Sequence, residues 1–168
     1  PPRSTLFPYT TLFRSSSGLF NIDHVVIGPG GIFVVETKAR SKPEKGKVDI
    51  WLDGDVVRFA DNSYDAKAAS QAKANLDFFA KVLETKILGG KSAPSQRPTL
   101  PMEAVLVYPG WYVIKKSPEK PKVWLSNGKM VVNFICKPDR RLSDQDVGEM
   151  IEKVDRFLRS EADEPIKL

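Results

Sequence analysis

Two apolar runs on either side of a glycine-rich turn constrain the fold of this chain more than any other feature. The first run extends from Ile22 to Ile27, the turn GPGG occupies residues 28–31, and the second run extends from Ile32 to Thr37. Short apolar runs joined by such a turn are typical of a β-hairpin with two buried strands. We therefore expect the core to form around this hairpin.

The register of the hairpin brings three charged residues to one end. Both ways of closing the glycine turn pair Ile27 with Ile32 and place Asp23 opposite Glu36. Because side chains alternate between the two faces of a strand, Glu36 and Lys38 are expected to share the face of Asp23. Two carboxylates and an ammonium group then converge at one end of an apolar hairpin.

This convergence is compatible with a metal site. Directly opposed carboxylates destabilise a sheet unless positive charge lies close to them. Lys38 supplies one charge, and Mg²⁺, which prefers hard oxygen ligands, would supply the rest. A metal that acidifies a bound water, beside a lysine that stabilises negative charge, suits phosphodiester hydrolysis. The geometry favours a metal site and a salt-bridged sheet edge equally.

An acidic residue two places before a lysine is a weak motif by itself. The chain contains three such pairs, namely Glu36 with Lys38, Asp65 with Lys67, and Glu84 with Lys86. The last two fall in or beside a predicted long helix, where residues two apart do not share a face. Only the first pair follows a strand that carries an Asp in matching register.

The remaining pattern predicts an α/β chain with a mixed central β-sheet flanked by helices. A second hairpin is expected around the turn Asp53-Gly54, and apolar residues at three- and four-residue steps predict one long helix between Tyr64 and Leu88. The segment from Lys91 to Pro101 is expected to be an exposed loop. The further predictions are strands at Ala104–Tyr108, Val123–Leu125 and Val131–Ile135, and a helix that begins with a capping box of Ser143 and Asp146.

Composition excludes several classes of protein. The 168 residues suit one domain, and no apolar run approaches the roughly 20 residues of a membrane span. The single cysteine, Cys136, excludes an internal disulfide and a cysteine-based zinc site, so the cytoplasm is the expected compartment. The net charge of +5 is compatible with a polyanionic partner.

The segment from Asn21 to Lys38, NIDHVVIGPGGIFVVETK, resembles the signature of the nuclease-related domain (NERD) family. The resemblance extends more loosely to Trp51, Gln71 and Asn75 and to the strand at 104–108, so that it covers most of residues 18–160. It implies membership of the PD-(D/E)XK nuclease superfamily and a restriction-endonuclease-like fold.

The resemblance also implies an activity and its residues. Asp23 and Glu36 would be the ligands of Mg²⁺ or Mn²⁺, Lys38 the catalytic lysine, and Gln71 a polar residue near the site. Gln71 is equally well explained as a residue that flanks the buried stripe of its helix. The implied partner is nucleic acid, DNA rather than RNA, and the domain is expected to be fused to, or to work with, other DNA-processing domains.

Residues 1–17, PPRSTLFPYTTLFRSSS, show neither helical nor strand periodicity, and no element is expected there. The string resembles the translation of a sequencing adapter, so we expect a non-native or disordered segment, followed by a NERD-like domain at 18–160 and a tail at 161–168. Family members usually carry an acidic residue on a helix upstream of the Asp strand, and this chain is expected to lack that N-terminal helix. The alternative function is therefore a non-catalytic nucleic-acid or protein-interaction module with the same fold.

Three other features are weaker candidates. His24, the only histidine, is expected to have a structural role on the face opposite Asp23. Cys136 is expected to be a small buried residue at the end of a strand. A loop combines aromatic residues with positive charge, which suits either a nucleic-acid groove or an ordinary exposed loop. The residues of this loop are Trp111, Tyr112, Lys115 and Lys116.

Overall fold

The hairpin has the predicted register. A computed structural model of the chain describes residues 9–14, 21–89, 100–136 and 139–162. Strand β2 (Asn21–Gly28) pairs antiparallel with strand β3 (Gly31–Thr37), and Ile27 lies opposite Ile32. Gly28 pairs with Gly31, so that only two residues form the turn. The glycines thus fix the register, as the sequence predicts.

The hairpin lies inside a five-stranded mixed sheet, which we call the central sheet. Its order is β1-β2-β3-β7-β9; the first three strands are antiparallel, and β7 and β9 continue parallel to β3. The bounds of the three further strands are β1 Tyr9–Arg14, β7 Met102–Val107 and β9 Val123–Ser126. The mixed α/β architecture is consistent with a restriction-endonuclease-like fold, as expected.

Strand β1 corrects the expectation that residues 1–17 contain no element. Its Phe13 is 2% exposed, and its ring lies 5.2 Å from that of Phe79 and 6.0 Å from that of Phe157. The strand does alternate, since Tyr9 and Phe13 pack in the core and Leu12 is 54% exposed, but this apolar residue on the outer face hides the alternation in the sequence. One well-packed aromatic ring therefore anchors a segment whose periodicity predicts nothing. The proposed domain boundaries remain predictions.

The second predicted hairpin forms, but in a separate four-stranded sheet, which we call the outer sheet. Its order is β6-β5-β4-β8, and the short strands β6 and β8 are additions to the prediction. The bounds are β4 Asp49–Asp53, β5 Val56–Phe59, β6 Tyr64–Asp65 and β8 Tyr112–Val113. Its inner face packs against β7, β9 and the first helix through one apolar cluster.

The long helix and the C-terminal helix form where the sequence predicts them. Helix α1 spans Ala68–Val82 and continues as a π-helical turn over Leu83–Ile87, and helix α3 spans Asp144–Ala162. The capping box is present, because the Ser143 hydroxyl accepts the Asp146 N–H and the Ser143 N–H donates to the Asp146 carboxylate. Most of the predicted loop at 91–101 lies outside the described residues. None of the described helices has the length and apolar character of a membrane span.

The predicted strand at 131–135 is wrong, because these residues form helix α2 (Met130–Ile135). The Asn127 side chain accepts the N–H groups of Lys129 and Met130, which caps the helix start. Residues 131, 134 and 135 then share one face and pack against the second face of the central sheet. Cys136 follows the helix and is exposed, not buried as expected.

The turn glycines allow a test of the hairpin. Gly31 and Gly46 both have positive φ, of 131° and 116°, but a Cβ on Gly31 would lie 2.6 Å from the Pro101 carbonyl oxygen, whereas a Cβ on Gly46 meets nothing within 4 Å. Each change to Ala costs about 1–2 kcal/mol of backbone strain. We expect Gly31→Ala to lower the free energy of unfolding by about 1–3 kcal/mol more than Gly46→Ala because of the added overlap. Urea unfolding measures both, and equal losses would contradict the close approach.

Candidate active site

The candidate site lies at the edge of the central sheet where the parallel strands β3, β7 and β9 end. Ligands of α/β sheets commonly bind outside this carboxyl edge. Glu36 is the last residue but one of β3, and its side chain points toward α1 because it shares the face of Ile32 and Val34, which pack in the core under that helix. Glu36 is only 4% exposed, so its carboxylate needs partners inside the protein.

Lys38 provides the charged partner of Glu36. Its Nζ lies 2.8 Å from Oε1 of Glu36 and donates a second hydrogen bond of 2.8 Å to Oε1 of Gln71 on α1. The Lys38 backbone N–H donates to the Val107 carbonyl, which extends the parallel pairing of β3 with β7 by one residue. The side chain of Lys38 is 28% exposed, so the ammonium group is oriented by two acceptors and still reaches solvent.

Asn75 satisfies the other oxygen of Glu36. Its Nδ2 donates to Oε2 of Glu36 at 3.0 Å, and Asn75 is itself 4% exposed. Gln71 and Asn75 are four residues apart, so both side chains lie on one face of α1. Asn75 belongs only to the loose part of the family resemblance, but its place inside an apolar helical stripe is a sequence signal for a buried polar partner.

Asp23 caps the open end of the hairpin. Its Oδ2 accepts the backbone N–H of Thr37 at 2.8 Å, just beyond the last pair of the ladder, His24 with Val35. Within the described residues Oδ1 of Asp23 has no hydrogen-bond partner. The structure therefore brings Asp23 to the Glu36–Thr37 peptide, while Glu36, Lys38 and Gln71 form a directly bonded group.

A β-bulge lies at Asp23. Leu12 of β1 is opposed by two residues of β2, Asp23 and His24. Ile22 and Val25 both enter the same core although they are three residues apart, so the strict alternation used to predict the faces does not hold between them. Bulges re-aim side chains and occur often beside active sites. His24 is exposed on this strand.

A third carboxylate, Asp65, approaches the site from the outer sheet. Its Oδ2 accepts the hydroxyl of the buried Tyr108 at 3.0 Å, and its Oδ1 accepts the N–H groups of Lys67 and Ala68 at the start of α1. Burial tends to raise the pKa of Asp65, but these hydrogen bonds and the charge of Lys38 outweigh it and lower that pKa. Burial and the neighbouring Asp65 raise the pKa of Tyr108.

The donor set fits a hard divalent cation. Within the described residues no three His, Cys, Asp or Glu side chains gather closely enough to hold a metal ion. Mg²⁺ is commonly held by only one or two carboxylates, with waters and substrate phosphate in the other positions. Asp23 and Glu36 provide two carboxylates on neighbouring strands, and among the described residues Oδ1 of Asp23 has no hydrogen-bond partner.

The lowered pKa of Asp65 predicts how stability depends on pH. The folded pKa lies below the ordinary value of 3.8, so the charged form adds stability above that pH and loses it as the pH falls through the lowered folded pKa. Asp65→Asn keeps the acceptor for the helix but removes the charge. We expect the variant to be less stable than the wild type at pH 7, and the difference to shrink below about pH 4.

Urea unfolding between pH 3 and 7 measures this difference. Asp77→Asn, at an exposed position of α1, is the matched control for replacing a carboxylate with an amide, and it should change the free energy of unfolding little. A difference for Asp65→Asn that stays constant over the whole range would contradict the proposed charge stabilisation.

Comparison with known proteins identifies the family of the chain. The family model described as nuclease-related domain matches residues 4–109, which is more than half of the chain and includes every residue of the candidate site. No curated protein and no solved structure matches the chain significantly. The chain belongs to the nuclease-related domain (NERD) family, within the PD-(D/E)XK-like nuclease superfamily.

Proposed function

We propose that the domain is a metal-dependent nuclease that hydrolyses phosphodiester bonds of nucleic acid, DNA in preference to RNA. The observation that carries this proposal is the contact between Lys38 and the buried Glu36, 2.8 Å apart at the carboxyl edge of the sheet, in a chain of the nuclease-related family. Burying a carboxylate beside a partly exposed ammonium group costs desolvation free energy. A purely structural site gains little from this arrangement, whereas a hydrolytic site can use both charges.

Each residue then has a distinct role. Asp23 and Glu36 would hold Mg²⁺ or Mn²⁺, which when bound supplies Lewis-acid polarisation of the phosphate and an acidified water. Lys38, oriented by Glu36 and Gln71, donates hydrogen bonds to the nucleophile or to the negative charge that develops on the phosphate. Gln71 is a positioning residue for Lys38.

Asn75 is a second positioning residue. It acts through Glu36, because its hydrogen bond to Oε2 fixes the rotation of the carboxylate about its last bond. Asn75 bonds to Oε2 and Lys38 to Oε1, and since a carboxylate oxygen has two lone pairs, each oxygen could also bind a cation. Preorganisation of this kind lowers the reorganisation that the reaction would otherwise require.

The partner and the compartment of the domain are proposed from its net charge, its single cysteine and the family resemblance. The net charge of +5 is compatible with a polyanion such as DNA. We propose the cytoplasm as its compartment, because a single cysteine needs no oxidising environment. We also propose that it works with other DNA-processing domains, as the family resemblance implies.

A non-catalytic binding module with the same fold is the second candidate. It is favoured by the fact that both oxygens of Glu36 already have hydrogen-bond partners, Lys38 and Asn75. The two candidates differ in metal binding: calorimetry should record heat when Mg²⁺ or Mn²⁺ binds a nuclease site. Retained nucleic-acid binding without any metal binding would instead support the module.

Substitutions at the candidate site test catalysis directly. We expect Glu36→Gln and Lys38→Met each to lower the rate of DNA cleavage with Mg²⁺ or Mn²⁺ by at least about 100-fold, the effect of losing one acid–base or charge-stabilising group. Gel assays on labelled single- and double-stranded DNA and RNA measure the rate. Asp23→Asn should cause a loss that is partly restored at high Mn²⁺ concentration, because its ligand role is weakened but not removed.

The chain contains a matched control. Glu84 and Lys86 repeat the acidic-x-Lys spacing on the exposed π-helical turn, away from the carboxyl edge. Glu84→Gln and Lys86→Met should leave cleavage unchanged. Circular dichroism of every variant separates lost activity from lost folding, and cleavage that survives both Glu36→Gln and Lys38→Met in folded protein would exclude these residues from the mechanism.

A further inference from the structure

The face of the outer sheet that points away from the core carries aromatic and basic side chains. Tyr64, Arg58 and Trp51 pair side by side across β6, β5 and β4, so they lie in one row on one face. Tyr112 of β8 pairs with Asp49, two residues from Trp51 and therefore on the same face. Lys116 covers the ring of Trp51. We call the surface formed by Tyr64, Arg58, Trp51, Tyr112 and Lys116 the aromatic face.

The rings of this face do not serve the core. The opposite face of the same strands provides the buried Ile50, Val57 and Phe59, each 0–1% exposed. By contrast Tyr64 is 62% exposed and Tyr112 is 63% exposed. Large exposed aromatic rings on a sheet that already has a complete apolar side indicate contact with something outside the domain.

Two cations accompany the rings. The Arg58 guanidinium lies 5.8 Å from the centre of the Tyr64 ring, and the Lys116 ammonium lies 3.3 Å from the centre of the Trp51 ring. Arg58 Nε also contacts Oδ2 of Asp53 at 3.2 Å, which leaves the other N–H groups of the guanidinium to solvent. Rings and cations thus alternate over a few strand widths.

We propose that the aromatic face binds unpaired bases of a single-stranded nucleic acid, with bases on Tyr64 and Tyr112 and phosphates near Arg58 and Lys116. Every base has a face that stacks on an aromatic ring, and cations beside the rings match the backbone charge. A duplex keeps its bases inside the stack and cannot use the rings in this way. This inference rests on the proposed function in assuming that the partner is a nucleic acid.

The aromatic face adjoins the candidate site through β6. Tyr64 points outward. The next residue, Asp65, points to the inner side, where it accepts a hydrogen bond from Tyr108 and where the charge of Lys38 helps to lower its pKa. A nucleic-acid strand bound on Tyr64 would therefore lie one residue along β6 from Asp65. The substrate class inferred for the site is nucleic acid with a single-stranded segment.

Binding measurements without cleavage test the stacking role. Fluorescence anisotropy of a labelled oligothymidylate in EDTA should show about 10-fold or greater weakening for Tyr64→Ala and for Tyr112→Ala. Tyr64→Phe and Tyr112→Phe, which keep the ring, should bind as the wild type. Val132→Ala, which removes an exposed apolar side chain from α2, is the control for a nonspecific effect and should not change binding.

Charge substitutions test the phosphate contacts. Arg58→Ala should weaken binding and reduce its salt dependence, whereas Asp53→Asn should strengthen binding because it removes a negative charge from the same face. Arg156→Ala is the matched control, since Arg156 pairs with Glu152 on the exposed side of α3 as Arg58 pairs with Asp53. It should have little effect.

The outcomes separate this inference from the proposed activity. Unchanged oligothymidylate binding in both Tyr→Ala variants, or no binding by the wild type, would overturn the inference, even if the domain cleaves DNA through Glu36 and Lys38. Equal losses for duplex and single-stranded DNA would also overturn it. Tyrosine-dependent binding in a protein that shows no cleavage would support the aromatic face and count against the nuclease.

Discussion

Glu36 carries a carboxylate into the interior at the end of β3, where each of its oxygens must find a donor. Lys38, the residue that follows β3, and Asn75 from α1 supply these donors. Removing one partner from a buried charged group costs several kcal/mol, roughly 3–5, because the charge is left uncompensated. The Glu36 carboxylate and the apolar packing on either side of it therefore together hold α1 against the end of the central sheet.

The same constraint prepares the site for chemistry. Lys38 is held by Glu36 and Gln71, yet 28% of its side chain remains accessible, so an incoming phosphate can share its N–H donors without a change of backbone. Asp65 adds negative charge on the other side and ties the start of α1 to Tyr108. Charge of both signs is thus fixed before any ligand binds, which is the condition for electrostatic preorganisation.

Local patterns in the sequence predict the structure correctly where one interaction determines it. The glycine turn determines the pairing of Ile27 with Ile32, and this pairing carries Asp23 to Thr37 and Glu36 to α1. The bulge at Asp23 cannot be predicted from the hairpin alone, because it depends on the pairing of β2 with Leu12 of β1, a strand without clear periodicity in the sequence. The strand predicted at residues 131–135 is wrong because a short apolar run suits a strand or a buried helix equally, and the cap by Asn127 decides for the helix.

Strand β6 connects the outer sheet to the candidate site. Adjacent side chains of a strand point to opposite faces, so two residues suffice to serve two surfaces. Asp65 faces the start of α1 and the ring of Tyr108, whereas Tyr64 faces solvent beside Arg58. Any movement of β6 would displace both residues together, because they share one peptide unit. A ligand that orders the aromatic face would therefore also restrain Asp65, whose pKa the charge of Lys38 helps to lower, and this couples binding on the outer sheet to the geometry of the candidate site.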